Sequence, residues 1–127
     1  MTPKFLRKAA VISEHQRSLE LFGGLPGIRD KGALNSALAR PENKHTYGEN
    51  DLCTLAAAYA FGIAKNHPFN DGNKRAALMT AHAFLIVNGY DLVVDKVGLA
   101  KAVLNLASSD LSEKDFGLFL RTHIVSL

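Results

Sequence analysis

Two long apolar segments constrain the fold of this chain more than any other feature. The first, Leu52 to Ala64, is an almost unbroken run of Leu, Ala, Tyr, Phe and Ile, and the second, Ala76 to Val87, is apolar apart from Thr80 and His82. Each is too long for an ordinary strand and is rich in residues that favour helices. Helices that are apolar nearly all round pack inside a protein. The sequence therefore predicts a helical fold with these two helices at its centre.

Four further helices are predicted around the central pair, over Arg7 to Phe22, Lys31 to Ala39, Lys96 to Ala107 and Ser112 to Val125. Pro41 is expected to stop the second of these, because proline interrupts helical hydrogen bonding. An extended segment is predicted from Tyr90 to Val94, with little other sheet. We expect one all-α domain over residues 1–127, a compact bundle of six helices.

The composition narrows the class of protein. Apolar residues make up 47% of the chain and charged residues 21%, which is typical of a globular protein. The net charge of +3 is too small to indicate direct nucleic-acid binding, and no apolar run resembles a signal peptide or a membrane span. The single cysteine, Cys53, excludes an internal disulfide framework and is compatible with a reducing compartment. We therefore expect a cytoplasmic protein that does not bind membranes.

A polar nonapeptide, residues 67–75 (HPFNDGNKR), joins the two central helices. Pro68 marks a break in helical structure, and either Asn70 or Asp71 can cap the start of the second helix. The backbone N–H groups of residues 72–74 would then be unpaired in its first turn. Unpaired amides at the positive end of a helix form an anion site, and a glycine there lets a phosphate approach the backbone closely.

The side chains of this nonapeptide suit phosphate chemistry. Lys74 and Arg75 add positive charge, and Arg75 can hold phosphate oxygens in a bidentate fork. Asp71 beside a phosphate indicates a bridging cation such as Mg²⁺, which takes one carboxylate and its other ligands from phosphates and water. His67 can act as a general base, since histidine titrates near neutral pH. Together these groups predict phosphoryl or nucleotidyl transfer.

Each of these residues taken singly has a simpler explanation, as a helix cap, a structural histidine or a solvated charge. Two other histidines are predicted to be structural: His15, in the first helix with no partner in sight, and His82, which could face either the core or the site. No zinc motif such as His-Glu-x-x-His occurs. It is the occurrence of the whole set within nine residues that favours a catalytic site.

Residues 67–75 resemble the signature of the Fic/Doc family, His-Pro-Phe-x-Asp/Glu-Gly-Asn-x-Arg, and match it at every specified position. Residues 22–27 (FGGLPG), 37–41 (ALARP) and 88–90 (NGY) resemble landmarks of the death-on-curing (Doc) branch, in that order. The resemblance covers nearly the full chain and implies a Fic/Doc-type helical bundle.

The resemblance also implies a role for each motif residue. His67 would be the catalytic base, and Asp71 would bind Mg²⁺. The nucleotide, ATP, would be held by the remaining positions: the apolar anchor Phe69, the anion-hole residues Gly72 and Asn73, and the cations Lys74 and Arg75.

The residue at position 74 separates two activities within the family. Most Fic proteins that transfer AMP have glycine where this chain has Lys74, and the Gly-Asn-Lys-Arg version is typical of Doc-like proteins, whose family activity is phosphorylation of elongation factor Tu by ATP. The resemblance thus implies a toxin that phosphorylates a Ser or Thr hydroxyl of a translation factor, with elongation factor Tu as the expected target, and so inhibits translation. Two alternatives stay open, a protein adenylyltransferase and a catalytically idle helical binding module.

The family resemblance further implies a flap and an inhibitor. By position, the polar segment from Glu42 to Asn50 is expected to form a flap loop or hairpin that holds an extended target peptide, with a plain connector as the alternative. Many Fic proteins are restrained by an inhibitory helix with the pattern Ser/Thr-x-x-x-Glu-Gly/Asn, and this chain has only near misses, such as Thr46 to Asn50. We therefore expect a separate antitoxin protein as partner.

Overall fold

The computed structural model describes residues 2–127, which form six α-helices and a small antiparallel sheet of two strands. The helices are α1 (Lys8–Phe22), α2 (Lys31–Thr46), α3 (Leu52–Asn66), α4 (Asn73–Val87), α5 (Lys96–Ala107) and α6 (Glu113–Arg121). The strands are β1 (Tyr90–Leu92) and β2 (Ile124–Ser126). The predicted six-helix, all-α bundle is confirmed. None of these helices is long and apolar enough to cross a bilayer.

Helix α3 lies at the centre, where it packs against α2, α4, α5 and α6. Most of its residues are buried, as its nearly continuous apolar sequence predicts. Tyr59 of α3 packs on Phe84 of α4, with 5.1 Å between the ring centroids. Helix α1 covers the outer side of α4. The nonapeptide thus connects the two central helices of the bundle.

A close approach of backbones joins α2 to α3 at Ala37 and Gly62. A Cβ atom built on Gly62 would lie 2.9 Å from the Cα atom of Ala37 and 3.2 Å from its carbonyl oxygen. Any side chain larger than hydrogen would therefore force the helices apart, and glycine permits the contact.

Helix α2 extends further than predicted. Pro41 does not stop it: the helix continues to Thr46 with Pro41 buried inside it. Proline removes one hydrogen bond, the one that its N–H would donate to the carbonyl group of Ala37. The added turns are held by tertiary contacts, since Arg40 forms an ion pair with Glu113 of α6. This packing outweighs the missing backbone bond.

The predicted loop or hairpin over Glu42–Asn50 is consequently wrong for its first five residues. The connection between α2 and α3 is confined to residues 47–51. Within residues 2–127, its hydrogen bonds lead to the end of α2, the start of α3 and α6, and none leads to the nonapeptide. That residues 47–51 act as a flap for a target peptide stays a prediction.

The last helix is shorter than predicted. It ends at Arg121, and β2 follows where the sequence predicts helix to Val125. The β-branched residues of β2 favour a strand, and its backbone pairs with β1, placing Asp91 opposite Val125. The extended segment predicted over Tyr90–Val94 is confirmed as a strand for Tyr90–Leu92, which provides this partner.

Cys53 lies in the first turn of α3 and belongs to the core. Its side chain is 1% exposed, and burial raises the pKa of its thiol. It is a small buried residue, as the sequence predicts.

Candidate active site

The nonapeptide forms a short loop, residues 67–72, and the first residues of α4. His67 ends α3 in the left-handed conformation (φ 48°, ψ 57°), and Gly72 precedes α4 in the same region (φ 71°, ψ 25°). Glycine adopts this conformation without strain. The cap of α4 is Gly72, so the prediction of Asn70 or Asp71 as the cap is wrong.

The imidazole of His67 is exposed, and it makes no hydrogen bond to residues 2–127. Its backbone, in contrast, is fixed at both ends. The N–H group donates to the carbonyl oxygen of Ile63 at 3.2 Å, and the carbonyl oxygen accepts from Nε of Arg29 at 2.6 Å. A cationic side chain at a helix C-terminus also complements the helix dipole. The imidazole is therefore free to take a proton from a neighbouring molecule while its Cα position is held.

The N-terminal end of α4 offers unpaired donors. Among residues 2–127, the N–H groups of Asn73, Lys74 and Arg75 have no acceptor, whereas the N–H group of Gly72 donates to the Asp71 carboxylate at 2.8 Å. The free amides are thus those of residues 73–75, one position later than predicted. Three such amides at the positive end of a 15-residue helix suit an anion.

The side chain of Asn73 shapes the loop from within. Its Oδ1 accepts from the N–H group of Phe69 at 2.9 Å, and its Nδ2 donates to the carbonyl oxygen of the same residue at 3.0 Å. The ring of Phe69 is 1% exposed, as an apolar anchor requires. The amide side chain of Asn73 is thus engaged with Phe69, while its backbone N–H has no acceptor among residues 2–127.

The carboxylate of Asp71 is held in its ionised form. Oδ2 accepts from the N–H group of Leu25 at 3.1 Å, and Oδ1 accepts from that of Gly72. These bonds, the one from Leu25 first, lower the pKa of Asp71 below its ordinary value; partial burial opposes them, and the charge of Arg75 adds to them. Asp71 is therefore anionic at neutral pH.

The donor set around Asp71 suits one kind of metal site. No cluster of three or more His, Cys, Asp or Glu side chains within residues 2–127 could hold a metal ion by itself. Mg²⁺ is commonly bound by one or two carboxylates together with substrate phosphates and water. A single ionised carboxylate beside free helix amides fits that arrangement and does not fit an all-protein cage.

The two cations of the motif have different surroundings. Arg75 donates from Nη2 to the carbonyl oxygen of Gly23 at 3.0 Å, and its guanidinium lies 5.5 Å from the ring centroid of Phe22. Lys74 is exposed and forms no ion pair with residues 2–127. Arg75 is thus oriented by the end of α1, while Lys74 is unconstrained.

The connection between α1 and α2, residues 23–30, lies against the motif loop. The N–H group of Arg29 donates to the carbonyl oxygen of Pro68 at 2.7 Å, and the N–H group of Asn70 donates to that of Gly27 at 3.0 Å. These bonds form a short antiparallel bridge. This segment overlaps the Doc-branch landmark of residues 22–27, and its contacts with the motif loop were not predicted from the sequence.

Gly24 allows the connection to approach the site closely. It has a φ of +125°, and a Cβ atom built on it would lie 3.0 Å from Oδ2 of Asp71 and 3.3 Å from Nη2 of Arg75. A larger residue would displace both groups and would be strained in this conformation.

Two residues at the site were not predicted from the sequence, His15 and Arg29. His15 is 2% exposed, and its Nε2 donates to the carbonyl oxygen of Asp71 at 2.8 Å. Their partners lie 56 and 38 residues away along the chain, so no local pattern identifies them. His82, in contrast, donates from Nε2 to Oδ1 of Asp91 at 2.6 Å and joins α4 to β1, in keeping with the structural role predicted for it.

Comparison with known proteins agrees with this geometry. A model of the Fic/DOC family matches residues 5–85. The chain is 36% identical over 103 residues to "Protein kinase doc" of Escherichia phage P1, an alignment that covers 80% of this chain and 81% of the relative. It is 43% identical over 77 residues to "Toxin Doc" of Mycolicibacterium smegmatis, with 58% of each chain covered. A helical bundle with this signature loop, matched over these lengths, belongs to the Fic/DOC family.

Proposed function

We propose that this chain is a Doc-like toxin that acts as a protein kinase. It would transfer the γ-phosphate of ATP to a Ser or Thr hydroxyl of a translation factor, with elongation factor Tu as the expected target. One observation carries the proposal: a single short loop presents the exposed imidazole of His67, the ionised carboxylate of Asp71 and the free amides of residues 73–75. The relative named as a protein kinase supports the kinase activity, and the relative named as a toxin supports the toxin role.

The chemistry assigned to His67 is that of a general base. The hydroxyl oxygen of the target would attack the γ-phosphorus, and His67 would take the hydroxyl proton. The bond between the γ-phosphorus and the oxygen that bridges it to the β-phosphate would break, releasing ADP. The lack of an internal partner for the imidazole, within residues 2–127, leaves it able to accept that proton.

The triphosphate would be held by the start of α4. The free N–H groups of residues 73–75 would donate to phosphate oxygens, and Arg75 would add charge-assisted hydrogen bonds. Mg²⁺, bound by Asp71 with the nucleotide, would offset the negative charge of the phosphates. Gly72 would let a phosphate oxygen approach the backbone, and Phe69 would keep the loop in place from the core side.

Lys74 supports phosphoryl transfer over AMP transfer. Its long cationic side chain is exposed in the first turn of α4, beside the free amides. There it would obstruct the pose that presents the α-phosphate in AMP-transferring Fic proteins. It would hold the triphosphate in the opposite direction, with the γ-phosphate towards the hydroxyl.

We further propose that an antitoxin protein restrains this activity. The relative named as a toxin supports this pairing, and the chain has no complete inhibitory pattern of its own. Expression without the antitoxin should arrest growth of the host.

The test uses ATP labelled at either the α or the γ position, incubated with the protein and a translation extract. The proposal expects label from the γ position, and none from the α position, in a protein band that is absent with His67→Asn. Label from the α position alone would make the protein an adenylyltransferase. Failure of a folded chain to transfer either label would support the idle binding module.

A further inference from the structure

We propose that His15 is a positioning residue of this site, which fixes the loop backbone at Asp71 and thereby sets the affinity of its carboxylate for Mg²⁺ bound with nucleotide. The inference rests on the proposed function, since it assigns Mg²⁺ and nucleotide to the loop. It concerns a residue of α1, outside the motif.

The first contact is a hydrogen bond to the backbone of Asp71. His15 is 2% exposed, and its Nε2 lies 2.8 Å from the Asp71 carbonyl oxygen. A carbonyl oxygen can only accept, so Nε2 carries the hydrogen. Because α1 packs along α4, the donor is held on a helix rather than on a mobile loop.

The second contact is a stack on Phe69. The two rings are nearly parallel, at 7°, with 3.8 Å between their centroids. The backbone of Phe69 is bonded in turn by the side chain of Asn73. His15 therefore contacts the loop at two positions, and Asn73 ties the loop to the start of α4.

Packing alone does not explain a histidine at this position. A buried phenylalanine would also stack on Phe69 and would bring no polar atom of its own into the core. What the imidazole adds is one donor to the residue that carries the carboxylate. His15 donates to the carbonyl oxygen of Asp71, and the carboxylate of Asp71 accepts from the N–H group of the next residue, Gly72. The orientations of the Asp71 carbonyl group and carboxylate are therefore linked. Groups that orient a metal ligand typically change metal affinity about 10–100-fold when removed.

Two substitutions separate the two contacts. His15→Gln keeps an N–H donor near the position of Nε2 but lacks the ring, and His15→Phe keeps the ring but lacks the donor. The matched control is His82→Phe, which likewise keeps a ring and removes an imidazole hydrogen bond, the one from α4 to Asp91, outside the motif. Thermal unfolding of each variant reports whether it is folded.

The measurement is calorimetric titration of ATP at a series of Mg²⁺ concentrations. We expect His15→Phe to weaken the Mg²⁺-dependent part of the affinity about 10–100-fold, with the affinity in the presence of EDTA unchanged. His15→Gln should lie closer to the wild type, and His82→Phe should match the wild type. Wild-type Mg²⁺ dependence in His15→Phe, or equal losses in all three variants, would overturn the inference.

A measurement on the wild-type chain needs no substitution. Nitrogen-15 NMR of the imidazole should find the hydrogen of His15 on Nε2; a hydrogen on Nδ1 alone would overturn the inference even if the variants fail to fold.

Neither the calorimetric titration nor the NMR measurement depends on phosphoryl transfer. A wild-type chain that binds Mg²⁺ and ATP but transfers no γ-phosphate would overturn the proposed function alone, and one that binds no nucleotide would overturn both.

Discussion

The Nε atom of Arg29 donates a hydrogen bond of 2.6 Å to the carbonyl oxygen of His67. Its Nη2 donates to the preceding carbonyl group, that of Asn66, at 2.8 Å. The side chain of Arg29, in the connection between α1 and α2, therefore caps the C-terminus of α3 at His67, the residue proposed as the base. This contact holds the backbone that carries the imidazole.

Replacing Arg29 with Met should disturb catalysis more than binding. The substitution keeps the apolar stem and removes both donors, so the base is less well placed, and kcat should fall about 10- to 100-fold with the KM for ATP nearly unchanged. The control is Arg17→Met, which breaks an exposed ion pair with Glu14 and should change neither constant. A rise in KM at constant kcat in Arg29→Met would contradict this role.

Replacing His67 with Asn should remove transfer and leave the fold intact. Asparagine tolerates the left-handed conformation of this position, so the loop is preserved while the base is lost. The transfer rate should fall by ~10²–10⁴-fold. His67→Ala should lose as much activity and be less stable than His67→Asn by up to about 1 kcal/mol, because asparagine tolerates this conformation better than alanine does. A His67→Asn chain that arrests growth as strongly as the wild type would show the catalytic assignment to be wrong.

Replacing Arg75 with Ala should weaken nucleotide binding. A charge-assisted hydrogen bond contributes about 1.5–3 kcal/mol, which corresponds to roughly a 10- to 150-fold change in Kd. Calorimetric titration with ATP measures it, with Arg17→Ala as a surface control. Wild-type affinity in a folded Arg75→Ala chain would exclude this arginine from the phosphate site.

The pKa of Asp71 predicts how stability depends on pH. Its value in the folded chain lies below the ordinary value, so the unfolded chain binds the proton more tightly. The stabilisation is therefore fully present above the ordinary aspartate pKa of about 3.9 and is lost as the pH falls through the lower folded value. Urea unfolding between roughly pH 2 and 7 should find that the wild type exceeds Asp71→Asn in stability by a margin that shrinks with acid. A difference in stability between the wild type and Asp71→Asn that does not vary with pH would contradict this prediction.

Two helical glycines should respond to alanine in opposite directions. Gly62→Ala places a Cβ atom 2.9 Å from Ala37, and such overpacking costs about 1–3 kcal/mol, more than the roughly 1 kcal/mol gained in helix propensity. At Gly117 the nearest atoms to the new Cβ are 3.5 Å away, an ordinary contact, so Gly117→Ala should be stabilising by up to about 1 kcal/mol. Urea unfolding of both variants measures the difference, and equal effects would contradict the close approach of α2 and α3.

The parts of the fold that the sequence predicts are those with local causes. The apolar runs of α3 and α4 place these helices at the centre whatever surrounds them, and the nonapeptide carries its chemistry within nine residues. Pro41 is the opposite case. Its effect on a helix alone is to end it, and only the ion pair of Arg40 with α6 and the burial of the ring explain why α2 continues.

The same distinction applies to the site. The motif side chains are predictable because the signature fixes them, but their supports come from distant parts of the chain. His15 and Arg29 have ordinary sequence surroundings, and their importance depends on contacts made only when α1 and residues 23–30 fold over the loop. Strand β2 is similar, because a three-residue strand is stable only beside its partner β1.

The burial of Cys53 makes the natural chain convenient for labelling. It is the only cysteine in the sequence, it is 1% exposed, and its raised pKa disfavours the reactive thiolate. A cysteine introduced at an exposed position would therefore react with a maleimide dye or a spin label in preference to Cys53. Tyr47, 91% exposed at the end of α2, is a suitable position outside the motif. Distances from such a probe to a labelled nucleotide could be measured without first altering the core.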